Sequence, residues 1–341
     1  MHPPGNKQVL VIGAQGVLGA LVVGAFQDQG WAVRHAARRP NLGEVFIDLD
    51  QPETIAAEVS EDELVINAVA HRGLAVERTV LERGGALINI SALPAASGRA
   101  LRAIAGDARG TVLMNAGLAP GVTNLAAAEL LTGYPEADEL EMVFMASAAA
   151  PRGPASADFV HRGLTSSARH RTALIPLPEP FGERCCLGFC ESDAGWLGGL
   201  AEDRVVRPYL CVVEREAHQR MLALNARGEL SNLPRSAFAA RPPAQPGEAS
   251  QEPVAHWVAA SCRGQRLAAL TVECEGDFVN AARSTVVFAS AQLGRRQRPG
   301  CFDPEEVFVL NDLEPTLHAA GIRIVRRSRH GTAEQLPPGD S

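Results

Sequence analysis

Lysine is almost missing from this chain of 341 residues: Lys7 stands alone, at the edge of the first apolar run. A lysine Schiff base is therefore not expected in its chemistry. Tyrosine is nearly as scarce, with Tyr134 and Tyr209 the two examples. Positive charge is in deficit, 32 Lys and Arg against 39 Asp and Glu, for a net charge of −7. That balance argues against a nucleic-acid partner. No apolar run is long enough to read as a membrane-spanning helix, so no membrane partner is expected. Residues 1–7 are short, polar and run straight into the first strand, unlike a signal peptide. The seven cysteines are odd in number and scattered, which suits reduced thiols and a cytoplasmic location. Cys185, Cys186 and Cys190 lie close together without a paired C-x-x-C or H-x-x-x-H. They read as strand packing, and no metal site is expected. What remains is a globular composition, 46% hydrophobic and 21% charged, with length enough for two domains.

The strongest signal present is Val9-Leu10-Val11-Ile12 followed by Gly13-Ala14-Gln15-Gly16-Val17-Leu18-Gly19 and an apolar-periodic stretch. Strand, glycine turn and helix in that order make the phosphate grip of a dinucleotide-binding fold. Glycines permit a tight turn and close backbone approach, and the helix start offers unpaired N–H groups to a pyrophosphate. Gly13, Gln15, Gly16, Val17 and Leu18 are thus candidate cofactor contacts. The spacing is G-x-x-G-x-x-G, shared with some short-chain dehydrogenases. Their Tyr-x-x-x-Lys pair is absent here, because Asp138 and Val213 stand four residues after the two tyrosines.

Strand-like and helix-like segments alternate through the first 130 residues, with strands expected at 31–35, 45–48, 64–68, 86–90 and 111–114. This alternation predicts a parallel, doubly wound α/β sheet. Ligands of such sheets bind at the carboxyl ends of the strands. Asp48 and Leu49 are then placed near an adenine, Asn67, Ala68 and Val69 beside the ribose and nicotinamide, and Ser91 within reach of the cofactor amide or substrate. Binders of NAD carry an acidic residue at the end of the second strand. Here that end reads Arg34-His35-Ala36-Ala37-Arg38-Arg39-Pro40, with no carboxylate. Arg38 and Arg39 suit a 2′-phosphate, so NADP(H) is preferred and NAD(H) is the alternative. From about residue 139 the pattern changes to short alternating strands, at 139–147, 171–175, 184–189, 208–213, 256–262 and 265–274. These predict a mostly antiparallel sheet with one face covered. Residues 239–253 read as a flexible loop, 281–294 as helix, and the chain after Arg326 as frayed.

Two further segments carry a family likeness. Asn115-Ala116-Gly117-Leu118-Ala119-Pro120-Gly121-Val122-Thr123-Asn124-Leu125-Ala126 resembles the G-L-D-P-G…N-x-L-A segment of the saccharopine dehydrogenase (reductase) family. Residues 298–306 with Leu317-His318-Ala319-Ala320-Gly321-Ile322-Arg323-Ile324 resemble that family's closing G-V-x-x-P-E…L-x-x-x-G-I-x-V. The resemblance covers almost the whole chain. It implies a discontinuous architecture: a Rossmann NAD(P)-binding domain at 1–137, an inserted substrate and dimerisation domain at 138–276, C-terminal helices at 277–330 returning to the first domain, and a tail at 331–341. It also implies a homodimer, and a substrate role for Leu118, Pro120, Gly121 and Asn124. Ala119 departs from the family's aspartate, which makes saccharopine itself doubtful as substrate.

Hydride transfer asks little of the protein beyond a positioned nicotinamide and a polarised acceptor. His71, after the fourth strand, is a candidate for proton transfer, and Arg72 beside it for substrate binding. The donor-rich stretch 158–171 offers His161 as a second proton carrier, with Arg162 and Arg169 as carboxylate anchors. The leading reading is an NADP(H)-dependent oxidoreductase acting on an imine or carbonyl of a small amino-acid-like metabolite. The alternatives are an enoyl reductase of a lipid or polyketide pathway and a non-catalytic NADP(H)-binding redox sensor.

Overall fold

The computed structural model describes residues 7–40, 44–61, 63–70, 73–189, 199–200, 204–238, 251–293 and 298–328. In chain order the strands are β1 (Gln8–Ile12), β2 (Ala32–Ala37), β3 (Val45–Phe46), β4 (Leu64–Asn67), β5 (Ala86–Asn89), β6 (Thr111–Leu113), β7 (Glu139–Ala146), β8 (Thr172–Pro176), β9 (Glu183–Gly188), β10 (Val205–Val212), β11 (Pro253–Cys262), β12 (Gln265–Glu275), β13 (Gly300–Phe302) and β14 (Arg323–Ser328). The helices are α1 (Val17–Asp28), α2 (Pro52–Glu58), α3 (Ala75–Arg83), α4 (Ala95–Ile104), α5 (Val122–Gly133), α6 (Pro154–Thr165), α7 (Arg215–Arg227), α8 (Asp277–Leu293), α9 (Pro304–Val307) and α10 (Leu310–Ala319).

The first sheet has the order β13-β6-β5-β4-β1-β2-β3, with every pairing parallel. This is the Rossmann order with one strand added at an edge. A parallel strand covered on both faces must be apolar throughout, and β1 shows why its run is unbroken. Val9 and Val11 join one core with α1 and α5, while Leu10 and Ile12 join another beneath α2, α3 and α4. Each such side chain, fully buried, contributes roughly 1.5–3 kcal/mol.

The second sheet runs β14-β12-β11-β7-β10-β9-β8. It is mostly antiparallel, as its alternating strands predict, with one parallel pairing between β7 and β10. One face shares the core of α5 and α8, with Trp257 buried in it. The other face carries α6 and α7 over Leu187, Phe189 and Leu210. Helix α6 takes up the first half of the donor-rich stretch 158–171; Pro154 starts it at a position where a missing N–H costs nothing. The stretch after residue 276 serves both sheets. Helix α8 packs on α1, and β13 extends the first sheet beside β6. Strand β14 then pairs with β12 in the second. The expected frayed tail is thus ordered to residue 328. Arg326 makes ion pairs of 2.7 Å with both Glu129 of α5 and Glu314 of α10. The predicted loop at 239–253 lies outside the described residues up to 250, and β11 begins at its last residue.

Candidate functional site

The carboxyl ends of β1–β4 surround a cleft of about 520 Å³. Its floor is the glycine loop. Gly13 turns the chain with φ +85°, its N–H donating to the Ala36 carbonyl at 3.2 Å. A Cβ on Gly13 would meet Val69 Cγ2 at 2.5 Å, and one on Gly19 would lie 2.0 Å from the Gly13 carbonyl oxygen. The loop therefore sits in a space that only hydrogen fills at these positions. Gly16 caps α1 with no side-chain hydrogen bond to the helix start. That leaves the first-turn backbone donors and the positive end of a 12-residue helix without a side-chain cap. Gly13 and Gln15 line the cleft, and Gly16, Val17 and Leu18 follow them without belonging to its lining. The donor set and the cradle fit a pyrophosphate. Val17 and Leu18 form the first turn of that helix, and Leu18 also packs on the core.

The rim is basic. Arg38 and Arg39 line the cleft at the end of β2, both exposed. Asp48 and Leu49 close the far side. The Asp48 carboxylate is committed to its own turn: Oδ1 accepts the Asp50 N–H at 3.1 Å and Oδ2 the Gln51 amide at 3.2 Å. Gln15 reaches across, donating to the Arg39 carbonyl at 3.1 Å and to Glu44 Oε2 at 2.8 Å. Glu44 escapes a reading of sequence alone because it precedes β3 rather than ending β2.

Val69 lines the same cleft from the end of β4. Asn67, Ala68 and Ser91 sit at the ends of β4 and β5 without belonging to its lining. The Asn67 side chain is 3% exposed and bonded within the protein, so it shapes the crest rather than meeting a ligand. His71 and Arg72 lie outside the described residues.

The two segments that carry the family likeness meet at the end of β6. Asn115, in the left-handed region at φ +53°, donates to Asp303 Oδ1 at 2.7 Å and accepts the Leu93 N–H at 2.9 Å. Asp303 caps α9 and binds Arg102 of α4 at 2.7 Å, and Glu306 binds the same guanidinium at 2.6 Å. Leu118, Pro120, Gly121 and Asn124 are all buried. They form the tight turn into α5: Gly121 has φ +126°, and a Cβ there would fall 2.0 Å from the Gly117 carbonyl oxygen. Asn124 reaches back to the Gly121 N–H at 3.4 Å and donates to Glu305 Oε1 at 3.4 Å. Glu305 Oε2 has neither solvent nor a hydrogen-bond partner. Burial, reinforced by the neighbouring Asp303, pushes its carboxyl up to about 8.

The donor-rich stretch does not reach this cleft. His161 Nε2 lies 3.2 Å from the Leu233 carbonyl, and its ring packs edge-on against Phe238. Arg162 is exposed in the last turn of α6, and Arg169 lies against Gly228. Cys186 faces Cys211 on the adjacent strand; that thiol and burial together push the Cys186 thiol up, the opposite of an activated nucleophile. Among the described residues no group of three His, Cys, Asp or Glu is placed to hold a metal, and no helix is long and apolar enough to cross a membrane.

A Rossmann sheet with a glycine cleft, joined through a buried helix to a mixed sheet, defines a two-part α/β fold. Solved structures that share it include saccharopine dehydrogenase (L-Glu forming) from Saccharomyces cerevisiae. That structure is 12% identical with a TM-score of 0.61, over 94% of this chain and 100% of the other. Homospermidine synthase from Legionella pneumophila, solved in complex with NAD, is 11% identical with a TM-score of 0.65, over 98% and 95%. The chain thus has the fold of saccharopine dehydrogenase along nearly its whole length. No protein-family model matches the sequence, and no curated protein was found to be similar to it in sequence.

Proposed function

We propose that the protein is an NADP(H)-dependent oxidoreductase of the saccharopine dehydrogenase type, exchanging a hydride with the imine or carbonyl carbon of a small carboxylate-bearing metabolite. The observation that carries this reading is the glycine cradle, which would clash with any side chain at Gly13 or Gly19 and opens on a helix start without a side-chain cap. The cofactor supplies the hydride chemistry; the protein's part is to hold and orient it. Gly13, Gly16 and the first turn of α1 would hold the pyrophosphate. Arg38 and Arg39 would hold a 2′-phosphate, and they stand at the end of β2, where an acidic partner of the ribose hydroxyl would otherwise be. The fold's saccharopine dehydrogenase relative supports an amino-acid-like substrate.

Titration with NADPH and NADH, followed by nicotinamide fluorescence, tests the proposal. We expect NADPH to bind, and the Arg38→Ala/Arg39→Ala variant to weaken it by about 100-fold, because each charge-assisted contact contributes roughly 1.5–3 kcal/mol. NADH binding should change little. If neither nucleotide binds the wild-type protein, the loop is a structural turn and the proposal fails.

A further inference from the structure

Strands β4 and β5 end alike. Asn67 closes β4 and Asn89 closes β5, paired side by side in register. Each asparagine uses its Oδ1 to accept the N–H two residues on, Val69 at 3.0 Å and Ser91 at 2.8 Å. Each turns its amide nitrogen to the same atom, Oε1 of Glu77, at 3.1 Å from Asn67 and 2.7 Å from Asn89. All three side chains are buried, at 3%, 1% and 2% exposure. Glu77 belongs to α3, on the face that also buries Val76, Val80 and Leu81, and touches neither loop backbone through these bonds. A single carboxyl oxygen therefore sets the orientation of two asparagines. Each asparagine in turn bends the first residues of a crest loop. The β4 loop carries Val69, which lines the cleft and whose Cγ2 takes the space that a Cβ on Gly13 would need.

We infer that Glu77 is a positioning residue for the dinucleotide site, holding the crest loops of β4 and β5 in one arrangement through Asn67 and Asn89. The inference rests on the dinucleotide reading for its functional consequence and on the hydrogen bonds alone for its structural one. Glu77 makes no contact with the cleft lining through these bonds and acts at one remove. Removing its oxygen strands two buried amide groups, which then turn to other partners and release the Val69 and Ser91 N–H groups together. Single-strand effects would be separable; a shared acceptor makes them move as one.

The test compares Glu77→Leu, which keeps volume and loses the acceptor, with Glu77→Gln, which keeps an acceptor oxygen at the same reach. Amide hydrogen exchange on the protein without added nucleotide is the first readout. Exchange at Val69 and at Ser91 should both rise about tenfold or more in Glu77→Leu and stay near wild type in Glu77→Gln. The second readout is NADPH titration on the same samples. Glu77→Leu should bind about tenfold more weakly, with less fluorescence enhancement at saturation, while Glu77→Gln restores both. Exchange that rises at one loop and not the other overturns the inference, as does a Gln variant as impaired as Leu. A wild-type protein that binds no nucleotide overturns the dinucleotide reading and leaves the exchange result to decide the coupling. If Glu77→Leu does not fold, Glu77→Asp, whose shorter side chain withdraws the shared oxygen from both amides, decides: exchange should rise at Val69 and Ser91 together, and a rise at one alone overturns the inference.

Discussion

Alanine at Gly19 is expected to destroy the nucleotide site while alanine at Gly24, on the same helix, leaves it intact. The added Cβ at 19 would lie 2.0 Å from the Gly13 carbonyl oxygen and 2.7 Å from its carbon, both backbone atoms that cannot swing aside. Helix α1 must then lift from β1 or the loop must open, at a cost of roughly 2–4 kcal/mol. Because the displaced atoms are those of the loop itself, NADPH affinity should fall by at least about 100-fold, equivalent to about 3 kcal/mol. Gly24 has nothing within 4 Å of its would-be Cβ. There the substitution should raise stability by roughly 0.5–1 kcal/mol, the usual cost of glycine inside a helix, with affinity unchanged. Thermal unfolding and fluorescence titration of the two variants check both halves. Equal behaviour of the pair, or wild-type affinity in Gly19→Ala, would sink the close-packing account of this loop.

The second large effect is a pH dependence. Glu305 is held protonated by burial beside Asp303, with its carboxyl raised to about 8 from an ordinary 4.5. A carboxyl raised in the folded state favours folding fully below its unfolded value, and that contribution is lost as pH rises through 8. Between about pH 4.5 and 8 the wild-type protein should therefore lose stability, on the order of a few kcal/mol from this group. Glu305→Gln keeps the shape and removes the titration. Its unfolding midpoint should match wild type near pH 5 and exceed it at pH 8.5, by several degrees. Thermal unfolding across this range is the direct measurement. Parallel curves for the two proteins would show that Glu305 does not hold a proton at neutral pH.

The first sheet was legible in the sequence because a doubly covered parallel strand has no polar face to hide it. Val9–Ile12 and Leu64–Asn67 announce themselves as short apolar runs, and the glycines fix the turn and helix after β1. The second sheet was legible through its alternation, but alternation carries no direction, so the parallel pairing of β7 with β10 was not. Strand β14 hid behind its arginines. Arg326 looks like the start of a solvated tail until Glu129 and Glu314, one distant in sequence and one a helix away, are brought alongside. The site divides in the same way. The glycine loop and the basic rim are local and were readable, whereas Glu77, Asp303 and Glu305 matter only through partners on other elements. Glu77 left one trace, a carboxylate at helical spacing with Val80 and Leu81 on a face that is otherwise apolar. Asn67 shows the limit of such reading: its position at a strand end suggested a ligand contact, and its side chain is used up inside the protein.

Both sheets take an edge strand from residues 300–328: β13 completes the first beside β6, and β14 completes the second beside β12. A ribosome delivers the chain from its N-terminal end. The N–H and C=O groups along those two borders stay open through most of synthesis, on sheets otherwise ready to pair. The late stretch closes the two in turn, β13 on the first sheet and then β14 on the second. A nascent chain halted before residue 300 would present two sticky borders at once, and would be a strong client for holding chaperones.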